Sequence, residues 1–233
     1  MSEYRFSFPA CVIAGKGRIE TCDVIMLRKH AFPDGVRSRD DVAAMLALHN
    51  LCPDQCDAWK TFFVEALAAY AVFQERPSGR IDDEKASWLM RTFSPDGTIS
   101  TGLELEMLLH AIELASETSD NLSVFVLDQI RMSLSPNPGC AHAIARLPAA
   151  AVTAYDLDLI WRLLRSAVDR GRLALSLREA AVLKEIDLLT EGSQNHPPWN
   201  EMMTQIVTFD QRPGATLRAL ADAMSAASEG QAA

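Results

Sequence analysis

Apolar residues recur along most of this chain at the spacing of one helix face. In 102–115, Leu105, Leu108, Leu109 and Ile112 lie three and four residues apart and predict a buried stripe. In 177–190 the cleaner stripe is Val182, Ile186 and Leu189, with Ala180, Leu183 and Asp187 as a poorer one. The same periodicity, bounded by turn residues, predicts helices near 22–31, 39–51, 55–75, 82–93, 102–115, 120–133, 155–168, 177–190, 198–210 and 214–226. Residues 1–20 and 227–233 lack the pattern and are expected to be poorly ordered or extended. The stretch 133–155, SLSPNPGCAHAIARLPAAAVTAY, holds three prolines and a glycine, and 136–154 is expected to be a linker. The expected fold is an all-α helical bundle.

Comparing the chain with itself predicts an internal duplication of a helix–turn–helix unit. SRDDVAAMLALHNLCPDQCDAWKTFFVEA (38–66) lies against SLREAAVLKEIDLLTEGSQNHPPWNEMMTQI (176–206). Each copy has Ser, an acid three places later, an apolar helix, a polar turn, Trp and a second apolar helix. FQERPSG (73–79) faces FDQRPG (209–214), and LRKHAFPDG (27–35) faces LRSAVDRG (164–171). The expected layout is 21–135 for the first repeat with middle helices, the linker 136–154, and 155–226 for the second repeat. Ser38 with Asp41, Thr101 with Glu104 and Ser176 with Glu179 form helix-start signals. The hydroxyl accepts from an orphan helix N–H, and the acid complements the positive end of the helix.

TFSPDGTIST (92–101) resembles the middle of a calcium loop, which needs oxygen ligands at positions 1, 3, 5 and 9 and a bidentate Glu at 12, with Gly at 6. With Gly97 at position 6 the frame supplies Thr92, Ser94, Asp96, Ser100 and Leu103. One carboxylate remains and the bidentate ligand is missing. The frames around Gly35 (His30, Phe32, Asp34 and Asp41) and Gly171 (Ser166, Val168, Arg170 and Leu177) are not competent sites either, so a helix-connecting turn is expected at each.

PSGRIDDEKASWL (77–89) and PDGTISTGLELEMLL (95–109) are similar to the Asp-Gly-x-Ile-Ser turns of the TerB-like (tellurite-resistance) helical family. The resemblance covers about half of the chain. It implies an all-helical fold, a stress-related or scaffolding role and cation binding, and it implies no catalytic mechanism. Ser78 and Arg170 stand where an acid would precede the turn glycine, which weighs against an acidic metal cluster.

Composition narrows the function. Of 233 residues, 48% are hydrophobic and only 7% aromatic, a balance that favours helix over strand. A net charge of −9 argues against nucleic acid and anionic lipid as partners. The most apolar stretch, WKTFFVEALAAYAVF (59–73), carries Lys60 and Glu65 and falls short of the ~18 uncharged residues of a membrane span. No secretory signal is evident, and five scattered cysteines do not form a disulfide framework, so a cytoplasmic location is expected.

Little chemistry remains. His49, Cys52 and Cys56 offer soft ligands at an unusual spacing and without a fourth partner, so zinc is not expected. No C-x-x-C, nucleophile–base pairing or phosphate loop is present. Trp59, Trp88, Trp161 and Trp199 open or precede apolar segments and are expected to be packed. From Thr92 to Ile130 there are seven acids and no Lys or Arg. Glu106, His110, Glu113 and Glu117 share one predicted face. The expected function is a non-catalytic scaffold or interaction module whose acidic face, Glu106, Glu113 and Glu117, meets a protein partner with a basic surface. The alternative is a metal-binding protein or metal-assisted hydrolase using residues 104–117. No catalytic residue, metal ligand or cofactor is assigned.

Overall fold

The computed structural model describes residues 7–134, 140–145, 150–165, 168–169, 172–173 and 175–210, and these are all-α in class. The helices are α1 (Phe8–Lys16), α2 (Thr21–His30), α3 (Arg39–Leu51), α4 (Asp57–Ala69), α5 (Asp83–Phe93), α6 (Gly102–Leu114), α7 (Asp120–Ser133), α8 (Ala141–Ala145), α9 (Ala154–Leu164), α10 (Leu177–Leu189) and α11 (Pro197–Asp210). A π-helical turn, Tyr70–Gln74, continues α4. Two-residue strands complete the set: Arg18–Ile19 pairs in parallel with Asp54–Gln55, and Val168–Asp169 pairs antiparallel with Arg172–Leu173.

The chain divides into two compact units, Met1–Leu89 with Gly102–Thr118, and Met90–Thr101 with Ser119–Ala233. In the first, α4 packs most extensively on α6 and also on α2, while α1 covers α2 and α3. Its core is anchored by Trp59, Phe63, Leu48 and Leu108, all fully buried. In the second, α7 packs chiefly on α10 and also meets α8 and α9, with Trp199 and Leu183 at the centre.

Helix starts follow the predicted chemistry. Ser38 Oγ accepts from Asp41 N–H at 3.1 Å while Asp41 accepts from Ser38 N–H, and Ser176 and Glu179 repeat the exchange. Glu20 with Asp23 and Thr153 with Asp156 make two more such boxes.

Between helices a second device recurs. Gly17, Gly79 and Gly97 hold φ of 67°, 84° and 84°, a left-handed backbone that a side chain would strain. Two residues after each comes a buried isoleucine, Ile19, Ile81 or Ile99, whose backbone bonds a second connection between helices. Ile19 C=O accepts from Cys56 N–H at 3.0 Å, and Ile81 N–H donates to Glu117 C=O at 2.9 Å. Ile99 C=O accepts from Ala141 N–H at 2.7 Å, and Ile99 N–H donates to the buried Gln129 side chain at 3.0 Å. Val152 does the same without the glycine: its C=O accepts from His196 N–H, and its N–H donates to Asn195.

Several expectations need correction. Residues 1–20 are not uniformly extended, because 8–16 form α1, with Pro9 in the first turn, Lys16 in the last and Gly17 as the left-handed cap. Only Ala10 and Ile13 are buried, too short a stripe to stand out as a period. Within the expected linker, Cys140, Ala141, His142 and Val152 are buried in the second unit. In α10 the buried positions are Glu179, Ala180, Leu183 and Ile186, whereas Leu189 is exposed. The poorer stripe won because Asp187 is the acceptor for Trp199 Nε1, at 2.9 Å. Helix 155–168 stops at Leu164, and the helix expected at 214–226 lies outside the described residues.

Candidate functional site

A dense polar arrangement in the first unit surrounds the loop 75–80. Lys85, fully buried at the start of α5, donates from Nζ to Glu75 C=O at 3.0 Å, Pro77 C=O at 2.7 Å and Arg80 C=O at 2.7 Å. All three ammonium protons are thereby used. Burial depresses the Lys85 pKa, with Asp82 and Glu75 opposing the shift. Beside it the Glu75 carboxylate accepts from Arg39 Nη2 at 2.9 Å and from Tyr70 OH at 2.5 Å. Burial works to raise the Glu75 pKa, but the bonds from Arg39 and Tyr70 together hold it below the ordinary value. Burial and then Glu75 push the Tyr70 phenol upward, so it stays protonated as the donor. The Arg39 guanidinium lies 4.7 Å from the Trp88 ring centre, and Tyr70 meets the same ring edge-on. Every group here is committed to another group of the fold. The cluster clamps a loop; it presents no free acid, base or nucleophile.

The acidic segment is less open than a partner-binding face of Glu106, Glu113 and Glu117 would require. Glu106 is half-buried, Glu113 retains 13% side-chain exposure, and His110 Nδ1 lies 3.5 Å from Glu113 Oε2. Glu117 lies beyond the end of α6 and is exposed, as is Asp120 at the start of α7. Glu104 is buried in α6, where its charge works to raise the pKa of His49 against the larger lowering effect of burial. Among the described residues, the Glu106, His110 and Glu113 ligand atoms do not form a close metal-ligand group; Glu20, Cys22 and Asp23 do, within 4.8 Å. Two of those three already serve the start of α2. Glu20 and Asp23 exchange capping bonds there, and Asp23 also accepts from Lys16 Nζ at 2.6 Å.

The other sequence candidates resolve into structural roles. His49 turns to Gln55 and stacks on Phe63, while Cys52 is buried and Cys56 caps α4, so the three are not gathered as ligands. In the 94–101 turn, Asp96 accepts from Thr98 N–H at 3.1 Å, a bond that lowers its pKa, and Ser94 Oγ donates to Met90 C=O. The Gln129 amide, which accepts from Ile99 N–H, also donates to Gly97 C=O at 3.3 Å. The turn's polar groups are answered by protein atoms.

In the second unit His142 Nε2 lies 2.6 Å from Asp156 Oδ1, and both side chains are wholly buried. Asp156 Oδ2 accepts from Thr153 N–H and Oγ1–H, and the imidazole stacks on Tyr155 at 5.0 Å. A carboxylate-oriented imidazole is the arrangement of a general base, but a group closed to solvent cannot reach a substrate. This pair holds α8 to α9.

Sequence reasoning missed these networks, although two carried a signal. Arg39 and Lys85 each sit in the first turn of a helix, where a cation opposes the dipole, so each needs a compensating partner. Trp161 also departs from expectation: it is 64% exposed, while Trp59, Trp88 and Trp199 are packed. Helical phase places Asp156, Leu159, Ile160, Leu163 and Leu164 inward and leaves Trp161 outside that stripe. On α2, Ile25 is 62% exposed and Met26 is exposed beside it.

Comparison with known proteins finds no matching family model, no matching curated protein and no matching solved structure. No helix among the described residues is long and apolar enough to cross a membrane.

Proposed function

We propose that the protein is a non-catalytic helical scaffold or interaction module built from a duplicated unit, α2–α3–α4 and α9–α10–α11. Corresponding atoms support the duplication. Cys56 N–H bonds Ile19 C=O where His196 N–H bonds Val152 C=O. Gln55 donates to Cys52 C=O where Asn195 donates to Thr190 C=O. Trp59 and Trp199 follow three residues after Cys56 and His196 and are fully buried, and Asp23 and Asp156 are the buried acids of their capping boxes. The TerB-like membership belongs to the same proposal, since the Gly-x-Ile turns that carry it are the junctions between helices.

The observation that carries the function is the exposure of large apolar side chains on the first helix of each copy, Ile25 on α2 and Trp161 on α9. A partner with a basic surface would meet the exposed carboxylate of Glu117, with Glu106 and Glu113 contributing field more than contact. Nucleic acid is not proposed, given the charge of −9. A cytoplasmic location is proposed from five cysteines that pair in no disulfide.

Cross-linking in cells from a photoreactive residue at position 25, 117 or 161, with the captured protein identified by mass spectrometry, tests the reading. One reproducible partner, lost with Ile25→Asp, Trp161→Ala or the triple Glu106→Gln, Glu113→Gln, Glu117→Gln variant, supports it. Absence of any reproducible partner at all three positions refutes it. The alternative of a metal-assisted hydrolase rests on the His110–Glu113 pair. Stoichiometric zinc, manganese or iron in purified protein, released by His110→Ala, would move the assignment there.

A further inference from the structure

The interaction-module reading leaves the chemistry of the partner on the first helices open, and α1 and α2 narrow it. On α1 the inward positions are Ala10 and Ile13, while Phe8, Cys11, Val12 and Gly15 face out. On α2 the inward positions are Asp23, Val24 and Leu27, while Cys22, Ile25, Met26 and Lys29 face out. Both outward sets follow the i, i+3, i+4, i+7 spacing that a core-facing stripe would have. Phe8 alone is 82% exposed. Two packed helices thus each carry a regular apolar row on the side away from their own core.

The charge around these rows has the opposite sign to that of the molecule. Residues 7–30 contain Lys16, Arg18, Arg28 and Lys29 against only Glu20 and Asp23, in a chain of net charge −9. Both acids are engaged locally, Asp23 by Lys16 at 2.6 Å and Glu20 by Arg18 at 3.3 Å. The cations at the far end of α2, Arg28 and Lys29, are exposed, and Arg28 lies over the Phe62 ring at 5.0 Å. Lys29 occupies the last position of the outward row itself. A ligand for this face therefore needs an apolar stripe that ends in negative charge.

We propose that the outward faces of α1 and α2 bind an acidic amphipathic helix of a partner protein, its apolar row seated against Val12, Ile25 and Met26 and its carboxylates on Arg28 and Lys29. The inference rests on the module reading and specifies one of its surfaces. A helix is favoured over an anionic lipid surface because of the spacing. Regular rows on two packed helices form ridges into which a third helix interdigitates, whereas a fluid bilayer rewards no such spacing.

The test uses the full chain and a phage-displayed library of randomised helical peptides, with synthetic versions of enriched peptides measured by fluorescence anisotropy. Enriched peptides should be amphipathic with acidic residues at one end. Their affinity should fall at least tenfold with Ile25→Asp and about fivefold with Lys29→Glu, and replacing the peptide's Glu by Lys should restore binding to Lys29→Glu. Circular dichroism melts of both variants should match the parent, since both positions are exposed. Enriched peptides that are neutral or basic, or whose binding depends on Trp161 and not on Ile25, overturn the α1–α2 assignment and leave the module reading standing. No enrichment at any position removes both. Two further outcomes also overturn the proposal: co-sedimentation with phosphatidylserine vesicles that Ile25→Asp abolishes, or a concentration-dependent dimer by light scattering that the same change dissolves.

Discussion

Replacing Lys85 with Met keeps most of the side chain's length and apolar stem but removes the ammonium that gathers Glu75, Pro77 and Arg80. A hydrogen bond to a charged group contributes about 1.5–3 kcal/mol net, so three set a ceiling of roughly 5–9 kcal/mol. Two effects lower it. The cation is dehydrated in the fold, a cost the methionine avoids. The loop residues 75–80 alternate between half-buried and exposed, so water can reach some of the freed carbonyls. With about one carbonyl left unanswered and the loop free to loosen, the expected loss is about 2–4 kcal/mol. Urea unfolding of the full chain, followed by circular dichroism, measures it, with Lys60→Met as the control. Lys60 is exposed and pairs with Asp57 at the surface, so its replacement should leave the urea midpoint close to the parent's. If Lys85→Met unfolds at the parent's urea midpoint, the ammonium is not holding the loop and the clamp is wrong.

Asp187→Ala should destabilise the second unit by about 1–3 kcal/mol, because Nε1 of the buried Trp199 loses its acceptor; parent-like stability would contradict that role. Gln129→Leu should cost a similar amount of about 1–3 kcal/mol and speed amide exchange at Ile99 selectively, an effect that hydrogen-exchange mass spectrometry on the 94–101 segment detects. For Glu75 the folded pKa lies below its ordinary 4.5, so its contribution is present above that value and is lost as pH falls through the folded one. Glu75→Gln should therefore lower stability by about 1–2 kcal/mol at pH 7 and progressively less toward pH 3; an unchanged difference across that range would show that the carboxylate's charge is irrelevant. Calorimetric titration should find no micromolar calcium binding, and Asp96→Ala should change neither that nor the melting temperature by more than a degree or two.

Much of the helix layout was legible because caps and apolar periods are local. Ser38 and Ser176 announce their helices within four residues, and each does so in the structure. The end of α9 was misplaced because the pairing of Val168–Asp169 with Arg172–Leu173 competes with helix continuation there. The burial of Cys140, Ala141 and His142 was not legible, since it is fixed by partners at 99, 129 and 156 and not by their neighbours. The acidic run shows the limit most clearly. Spacing located Glu106, Glu113 and Glu117 on one predicted face, but how much of a face stays open depends on what packs against it. Helix α6 lies under α4, and seven of its thirteen residues are buried. Long-range networks such as Arg39–Glu75–Tyr70 leave only the weak trace of a cation in an unfavourable first turn.

The 94–101 turn has the outline of a loop that other proteins organise around an ion, yet here the organising group is the amide of Gln129, attached to the same polypeptide. A tethered ligand is always present at its site; its local concentration is set by the fold and does not rise or fall with the cell's calcium. The bonds to Gln129 complete the turn without an ion from solution. Its shape is thereby settled when the chain folds.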